Sequence, residues 1–419
     1  MRGCWWRLAV LMGMLVFGAG KGWAQTKVVT VSLLPYGWMS QRELSVQHPD
    51  PNRVGWLISG PPGGVAWRGV GEVAVDEQGR IYVGLPIWAS GSAPKSAARG
   101  TGDKLRVLVV NARRKGEVER TMDFPTRSLD RLDLRLAADG TLLVVADDKL
   151  MRLGRDGRPT AEMPLPNTQK EYEPWYLQSS TTGRTVRVRF NYKNSMLVDT
   201  QTLTVLKRCQ ELNDLNDLGG MTDDMELASA VETTQPTLTY GLEQEVFCEE
   251  KQRLRQFGDI DFVPSIIDSK RFLAITSKTI ALRKLSGETV WTSSGPPGRV
   301  LQKEEGEDRL SRDASRVAVR VLRRVQYREP VNWDGSGAPP RAFREVQFRP
   351  SQSGGERTIE VEDSIAVWDV ATGRMVGHVP VQGPLEGRNF KANSSFALSP
   401  NGRLLAVLQD GLLIVWKLE

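Results

Sequence analysis

Any chemistry in this 419-residue chain would have to be built on few groups: two histidines, three cysteines and one arginine-rich stretch. His48 sits before a proline-rich segment and His378 falls where the outer strand of a repeat unit should run, so surface or packing roles are expected rather than general-base catalysis. The arginines are more suggestive. Between Arg320 and Arg349 there are seven of them against Glu329, Asp334 and Glu345, with Tyr327, Trp333, Phe343 and Phe348 interleaved. Arginine with aromatics is the composition of interface cores, and the guanidinium fork suits carboxylate or phosphate. The candidate binding residues are therefore Arg323, Arg324, Tyr327, Arg328, Trp333, Arg341 and Arg344, facing an unknown protein or anionic ligand. The bland alternative is the wet face of an exposed hairpin, which also alternates charge.

The opposite charge bias occurs between Glu211 and Glu250, where 11 acidic residues stand with no Lys or Arg. Its run from Asn213 to Asp224 could gather oxygen ligands for calcium, but the spacing matches no EF-hand loop, and a solvated loop is the expectation. No catalytic residue, cofactor or metal site is assigned.

The cysteines depend on the compartment. Arg2 and Arg7 precede an apolar run from Leu8 to Gly20, followed by Gly22-Trp23-Ala24, the pattern of a secretory signal peptide cleaved near Ala24. The run is too short to span a bilayer as a helix, which takes about 20 residues. Cys4 precedes the run and would leave with residues 1–24, so lipid anchoring is not expected. A mature chain starting near Gln25 would be secreted or periplasmic, without a membrane span. Cys209 and Cys248 would then be its only thiols in a compartment where disulfides persist, and they are expected to pair. Closing a loop of roughly 40 residues would stabilise the fold by about 4 kcal/mol. Two separately buried thiols are the alternative, and a metal pair fits less well because neither histidine lies near a cysteine in sequence.

Removing Arg2, Arg7 and Lys21 takes the formal charge from +6 to +3, or 53 basic against 50 acidic residues. So small an excess on an exported chain gives no reason to expect nucleic acid as partner. A monomer is expected.

The elements that must position these groups form a repeat. An apolar strand, a tight turn and a second apolar strand recur at Val73–Val83, Leu134–Val144, Leu177–Val188, Phe262–Leu273, Leu310–Val319 and Phe396–Val407. Each hairpin but the last is followed by a second strand pair: Leu105 to Val118, Leu150 to Ala161, Met196 to Leu206, Ile280 to Trp291 and Ile365 to Val376. Four strands per unit is a β-propeller blade. Turn spacing fits a period near 43 residues once insertions at 86–103 and 324–362 are removed, and each insertion falls between the second and third strands of its blade. The step from Gly183 to Ser269 is twice that period, leaving room for a degenerate blade around 211–258. The expected fold is one all-β domain over 25–419, a propeller of seven blades, with six as the alternative. The last unit supplies three strands before the chain ends, so Lys27–Leu33 is expected to add the fourth and close the ring.

The segments Phe396–Val407 and Ala366–Arg374 resemble the paired signatures of WD-repeat and related bacterial β-propellers, and Val73–Val83 resembles an NHL-type repeat. The resemblance implies the fold and leaves function open, since propellers host scaffolds, lectins and several enzyme classes. Among the repeat segments only Trp368-Asp369 gives the WD dipeptide, and no Gly-His pair opens its blade. Among the enzymes of such folds, sialidase-like Asp boxes find no match: Leu285–Trp291, the nearest segment, lacks the Asp and the spacing. Tryptophan repeats of quinone dehydrogenases do not recur in one register. A lactonase-like hydrolase would hold a divalent metal in the central channel, but Asp76, Asp139 and Asp268 fall at turn positions. A non-catalytic binding or scaffold module is the expectation, with that hydrolase as the alternative.

Overall fold

The computed structural model describes residues 25–37, 72–87, 104–125, 133–146, 149–165, 175–190, 194–210, 221–223, 227–234, 237–246, 250–257, 264–302, 309–327, 357–381, 394–409 and 411–419. The chain forms a six-bladed β-propeller in which each blade is an antiparallel sheet, built in chain order except where β1 joins the last blade. Blade one holds β2 (Glu72–Val75), β3 (Arg80–Ile87), β4 (Lys104–Asn111) and β5 (Glu117–Pro125). Blade two holds β6 (Asp133–Leu136), β7 (Leu142–Ala146), β8 (Lys149–Leu153) and β9 (Pro159–Pro164). Blade three holds β10 (Trp175–Ser179), β11 (Thr185–Phe190), β12 (Asn194–Asp199) and β13 (Val205–Gln210).

After a separate three-stranded sheet of β14 (Leu227–Thr234), β15 (Thr237–Val246) and β16 (Glu250–Phe257) comes blade four. It holds β17 (Ser265–Asp268), β18 (Arg271–Ile275), β19 (Thr279–Lys284) and β20 (Thr289–Ser294). In blade five, the short β21 (Val300–Gln302) and β22 (Arg309–Leu310) both pair with β23 (Arg316–Tyr327), followed by β24 (Arg357–Asp369) and β25 (Met375–Val381). Blade six holds β26 (Ser394–Leu398), β27 (Leu404–Gln409) and β28 (Leu412–Leu418), with β1 (Gln25–Ser32) antiparallel to β28 from Gln25 opposite Leu418 to Ser32 opposite Leu412. Among the described residues, no helix is long and apolar enough to cross a membrane.

The count corrects the expectation of seven blades to its alternative of six. The interval 211–258 gives only the three strands β14 to β16 among its described residues. Part of the length that would have supplied a fourth strand is instead pinned to blade three. Thr181 N donates to Met221 O at 3.0 Å, Thr182 Oγ1 donates to Asp223 Oδ1 at 2.6 Å, and Met221 is fully buried. The other proposed calcium ligands, from Asn213 to Gly220 and Asp224, lie outside the described residues.

The hairpins form for local reasons that repeat. Gly79, Gly140, Gly183 and Gly402 close the first turn of their blades with φ between 64° and 79°, a left-handed region where a Cβ is costly. The first residue of the turn, Asp76, Ser180, Ser311 or Ser399, is buried. Its side-chain oxygen accepts the N–H of Arg80, Thr185, Arg316 or Leu404 at 2.8, 3.2, 2.9 and 2.9 Å. Turns between third and fourth strands have their own device: Asp369 Oδ1 accepts both N and Oγ1 of Thr372, and Asp199 does the same for Thr202. The Asp of the Trp-Asp dipeptide is thus a turn residue.

Packing between blades follows from strand alternation, since both faces of each blade meet a neighbour. Separate apolar clusters fill the seams between blades one and two, two and three, four and five, five and six, and six and one. At the seam of blades four and five, buried Trp368 donates from Nε1 to Ser293 Oγ at 3.2 Å, and Trp291 Nε1 donates to Val370 O at 2.9 Å. Gly373 makes room for that indole: at φ 69°, an added Cβ would stand 2.7 Å from the Trp291 ring.

Candidate functional site

In an antiparallel blade, the connections between second and third strands leave by the same face as the connections from one blade to the next. Both insertions open from connections of the first kind. The first lies between β3, which ends at Ile87, and β4, which starts at Lys104. The second lies between β23 and β24, and these two strands carry it outward as one long ladder from Arg316 opposite Asp369 to Tyr327 opposite Arg357. On that ladder Arg323 pairs with Glu362 and Arg324 with Glu360, with a register shift between the two arginines. Of the candidate residues, Arg323, Arg324 and Tyr327 therefore sit on β23, while Arg328, Trp333, Arg341 and Arg344 lie outside the described residues. Cys209 is on β13 opposite Ser195, and Cys248 lies outside the described residues.

The root of the first insertion is held by an ionic cluster. Arg106 donates from Nε to Asp123 Oδ1 at 2.8 Å and from Nη2 to Oδ2 at 2.9 Å, and Lys104 Nζ reaches Oδ2 at 2.6 Å. The Arg106 fork holds the Asp123 carboxyl down at about 2, against the cost of burial and with help from Lys104. Arg106 Nη1 also donates to Tyr36 O at 2.9 Å, fastening the short 3-10 turn Leu34–Tyr36 that follows β1 onto blade one.

Near the root of the second insertion lies the one histidine of the described residues, His378 on β25. Its Nε2 is 2.9 Å from Ser364 Oγ, and Arg299 Nη1 lies 3.4 Å from the same oxygen. A serine beside a histidine invites a nucleophile reading, but Ser364 is only 2% exposed and its hydroxyl donates to Val321 O at 3.1 Å. With its proton already committed to a backbone carbonyl inside the blade, Ser364 is a buried tie between strands. The backbone of His378 is engaged as well: its N–H donates to Gln25 Oε1 at 2.7 Å, and its carbonyl accepts from Gln25 Nε2 at 2.5 Å. The start of β1 is thereby fastened to blade five.

The carboxylates weighed for a channel metal are occupied elsewhere. Asp76 accepts from Arg80 N and, at 3.3 Å, from Tyr82 Oη, and burial pushes its carboxyl up despite both. Asp139 takes Thr141 N and the Arg152 guanidinium, and Asp268 takes Lys270 N and Arg271. Each is a turn residue serving its own hairpin, as the sequence pattern implied. Among the described residues, no group of three or more His, Cys, Asp and Glu is gathered closely enough to hold a metal ion.

Sequence reasoning missed Gln25, Ser364 and Arg312. Gln25 and Arg312 act on backbone atoms hundreds of positions away, 353 in one case and 174 in the other, and carbonyls leave no mark in a motif. The signal that was available is weaker: Gln25 stands at the head of a strand already expected to seal the last blade. No protein-family model matches the chain, and no curated protein is similar to it.

Proposed function

We propose that the protein is an exported, non-catalytic binding or scaffold propeller that presents its ligand site on the face carrying the 86–103 and 324–362 insertions. The observation that supports this most directly is the position of the two insertions. Both open between second and third strands, so antiparallel order sends them to one side of the ring. Loops on a rigid scaffold are the usual seat of recognition, because they vary without cost to the core beneath. The ligand is an unknown protein or an anionic group, met by Arg323, Arg324, Tyr327, Arg328, Trp333, Arg341 and Arg344. Guanidinium forks supply bidentate donors, and the aromatics supply contact area at low entropy cost.

Three further statements belong to the same reading. Residues 1–24 direct export and are removed near Ala24. Cys209 and Cys248 form a disulfide in the oxidising compartment. The mature protein is a monomer whose β1 closes the ring, a role supported by its pairing with β28 and by Val29 and Leu33 in the seam of blades six and one.

The test is capture of partners from an envelope extract by the tagged mature protein, compared with the triple variant Arg323→Glu, Arg324→Glu and Arg328→Glu. Loss of the captured partner with an unchanged melting temperature is expected. Undiminished capture would remove the arginine insertion from the site.

A further inference from the structure

Arg312 lies in the turn between β22 and β23, on the face opposite the insertions. Its Nη1 donates to Ala138 O at 2.8 Å and its Nη2 to Leu136 O at 3.3 Å. Those carbonyls belong to the β6–β7 hairpin of blade two, whereas Arg312 belongs to blade five. Blade five packs side by side with blades four and six, and blade two with blades one and three. Blades one and six separate the pair one way round the ring, and blade three, the sheet β14–β16 and blade four the other. A hydrogen bond between blades two and five can therefore be made only across the axis.

The contact is part of a longer run. Asp313 N donates to Pro400 O at 3.0 Å, Ala138 N to Gly183 O at 2.9 Å, and Thr181 N to Met221 O at 3.0 Å. Blade six is thus joined through the β22–β23 turn, over the axis, to blades two and three and the segment ahead of β14. An arginine aimed at a propeller axis would ordinarily invite an anion-site reading. Here two carbonyls take its terminal nitrogens, and burial lowers the guanidinium pKa from its ordinary value, with the nearby carboxylates of Glu77 and Asp139 opposing it only in part.

We infer that Arg312 is a strap across the hairpin-side mouth of the ring, coupling opposite blades and fixing the width of that mouth. A planar fork suits this role, because two parallel donors hold two carbonyls of one strand end at a set distance, which a single ammonium cannot do. The coupling lets the hairpins of blades two and three feel a change at blade five without any contact through the intervening seams. It stands independently of what the insertion face binds.

Amide hydrogen exchange of the full chain, read by mass spectrometry for wild type, Arg312→Lys and Arg312→Ala, tests the strap. In Arg312→Ala, exchange at residues 137–141 and 180–184 should accelerate at least tenfold while β19 keeps its protection. Arg312→Lys should fall between the two. Unchanged exchange at 137–141 would overturn the strap, and so would a loss equal in all sheets, which would make Arg312 a general stabiliser. Should Arg312→Ala fail to fold, Arg312→Gln carries the same comparison, since its one amide keeps the stem but loses the fork.

Discussion

At the scale of single residues, two aspartates of blade one show how one chemistry is set in opposite directions by its surroundings. Asp76 fills the turn position that serine fills in blades three, five and six, so a carboxylate is buried where a hydroxyl suffices. Burial raises its pKa, and its stabilising contribution is complete below the ordinary value of 3.8 and is lost as pH climbs through the raised one. Asp123 is the reverse case. Gripped by the Arg106 fork and Lys104, its carboxyl is lowered to about 2, so the stability it contributes is present above 3.8 and disappears as pH falls through about 2. In thermal melts between pH 5 and pH 2, Asp123→Asn should flatten the loss of stability that the wild type shows in the lowest two pH units. A variant whose curve runs parallel to the wild type would show that the cluster contributes nothing measurable. The sequence displayed Lys104, Arg106 and Asp123 without marking them as partners, because they meet across two strands whose register is set by pairing rather than by spacing.

At the scale of elements, β1 carries more than its composition suggests. Val29 within it and Leu33 just past its end are buried, each worth about 1.5–3 kcal/mol in removal from water. Its ladder with β28, the grip of Arg106 on Tyr36 and the Gln25 amide on His378 attach this segment to three blades at once. Deleting residues 25–34 from the mature chain should lower the melting temperature by roughly 10 °C or more, given roughly 2–4 °C per kcal/mol for chains of a few hundred residues. An unchanged melting curve would show that the last blade stands on three strands and that β1 is decoration. Hairpin positions, by contrast, were legible from residue types alone. Turn glycines with positive φ and a buried acceptor at the start of the first turn coincide in blades one, three and six, with apolar alternation on either side, and each is a local property.

At the scale of the whole molecule, the seams decide how the protein behaves. Each apolar cluster draws on two adjacent blades, so no blade that shares two such clusters holds a core of its own. Unfolding one blade exposes half of two seams, which makes the ring cooperative where an open solenoid would come apart repeat by repeat. Calorimetry of the wild type should therefore give one transition. Two resolved transitions would locate a break, and the interval between blades three and four, where the three-stranded sheet β14–β16 interrupts the four-stranded pattern, is where it would fall. The expectation of seven blades failed there for a physical reason. Period arithmetic counts residues, and a stretch of the right length carrying 11 acidic residues gave three strands and a pinned segment in place of a four-stranded blade.

By itself the sequence determined the all-β character, the hairpin positions, the place of both insertions between second and third strands, and β1 as the partner of the last blade. These follow from alternation and turn chemistry acting over a dozen residues or fewer. Only the tertiary structure decided the number of complete blades, the fastening of Gln25 to His378, the ties that bury Ser364 and the reach of Arg312 to blade two. Those contacts join atoms far apart in the chain, mostly through backbone carbonyls and amides that every residue possesses, and they exist only once the ring has brought its two halves face to face.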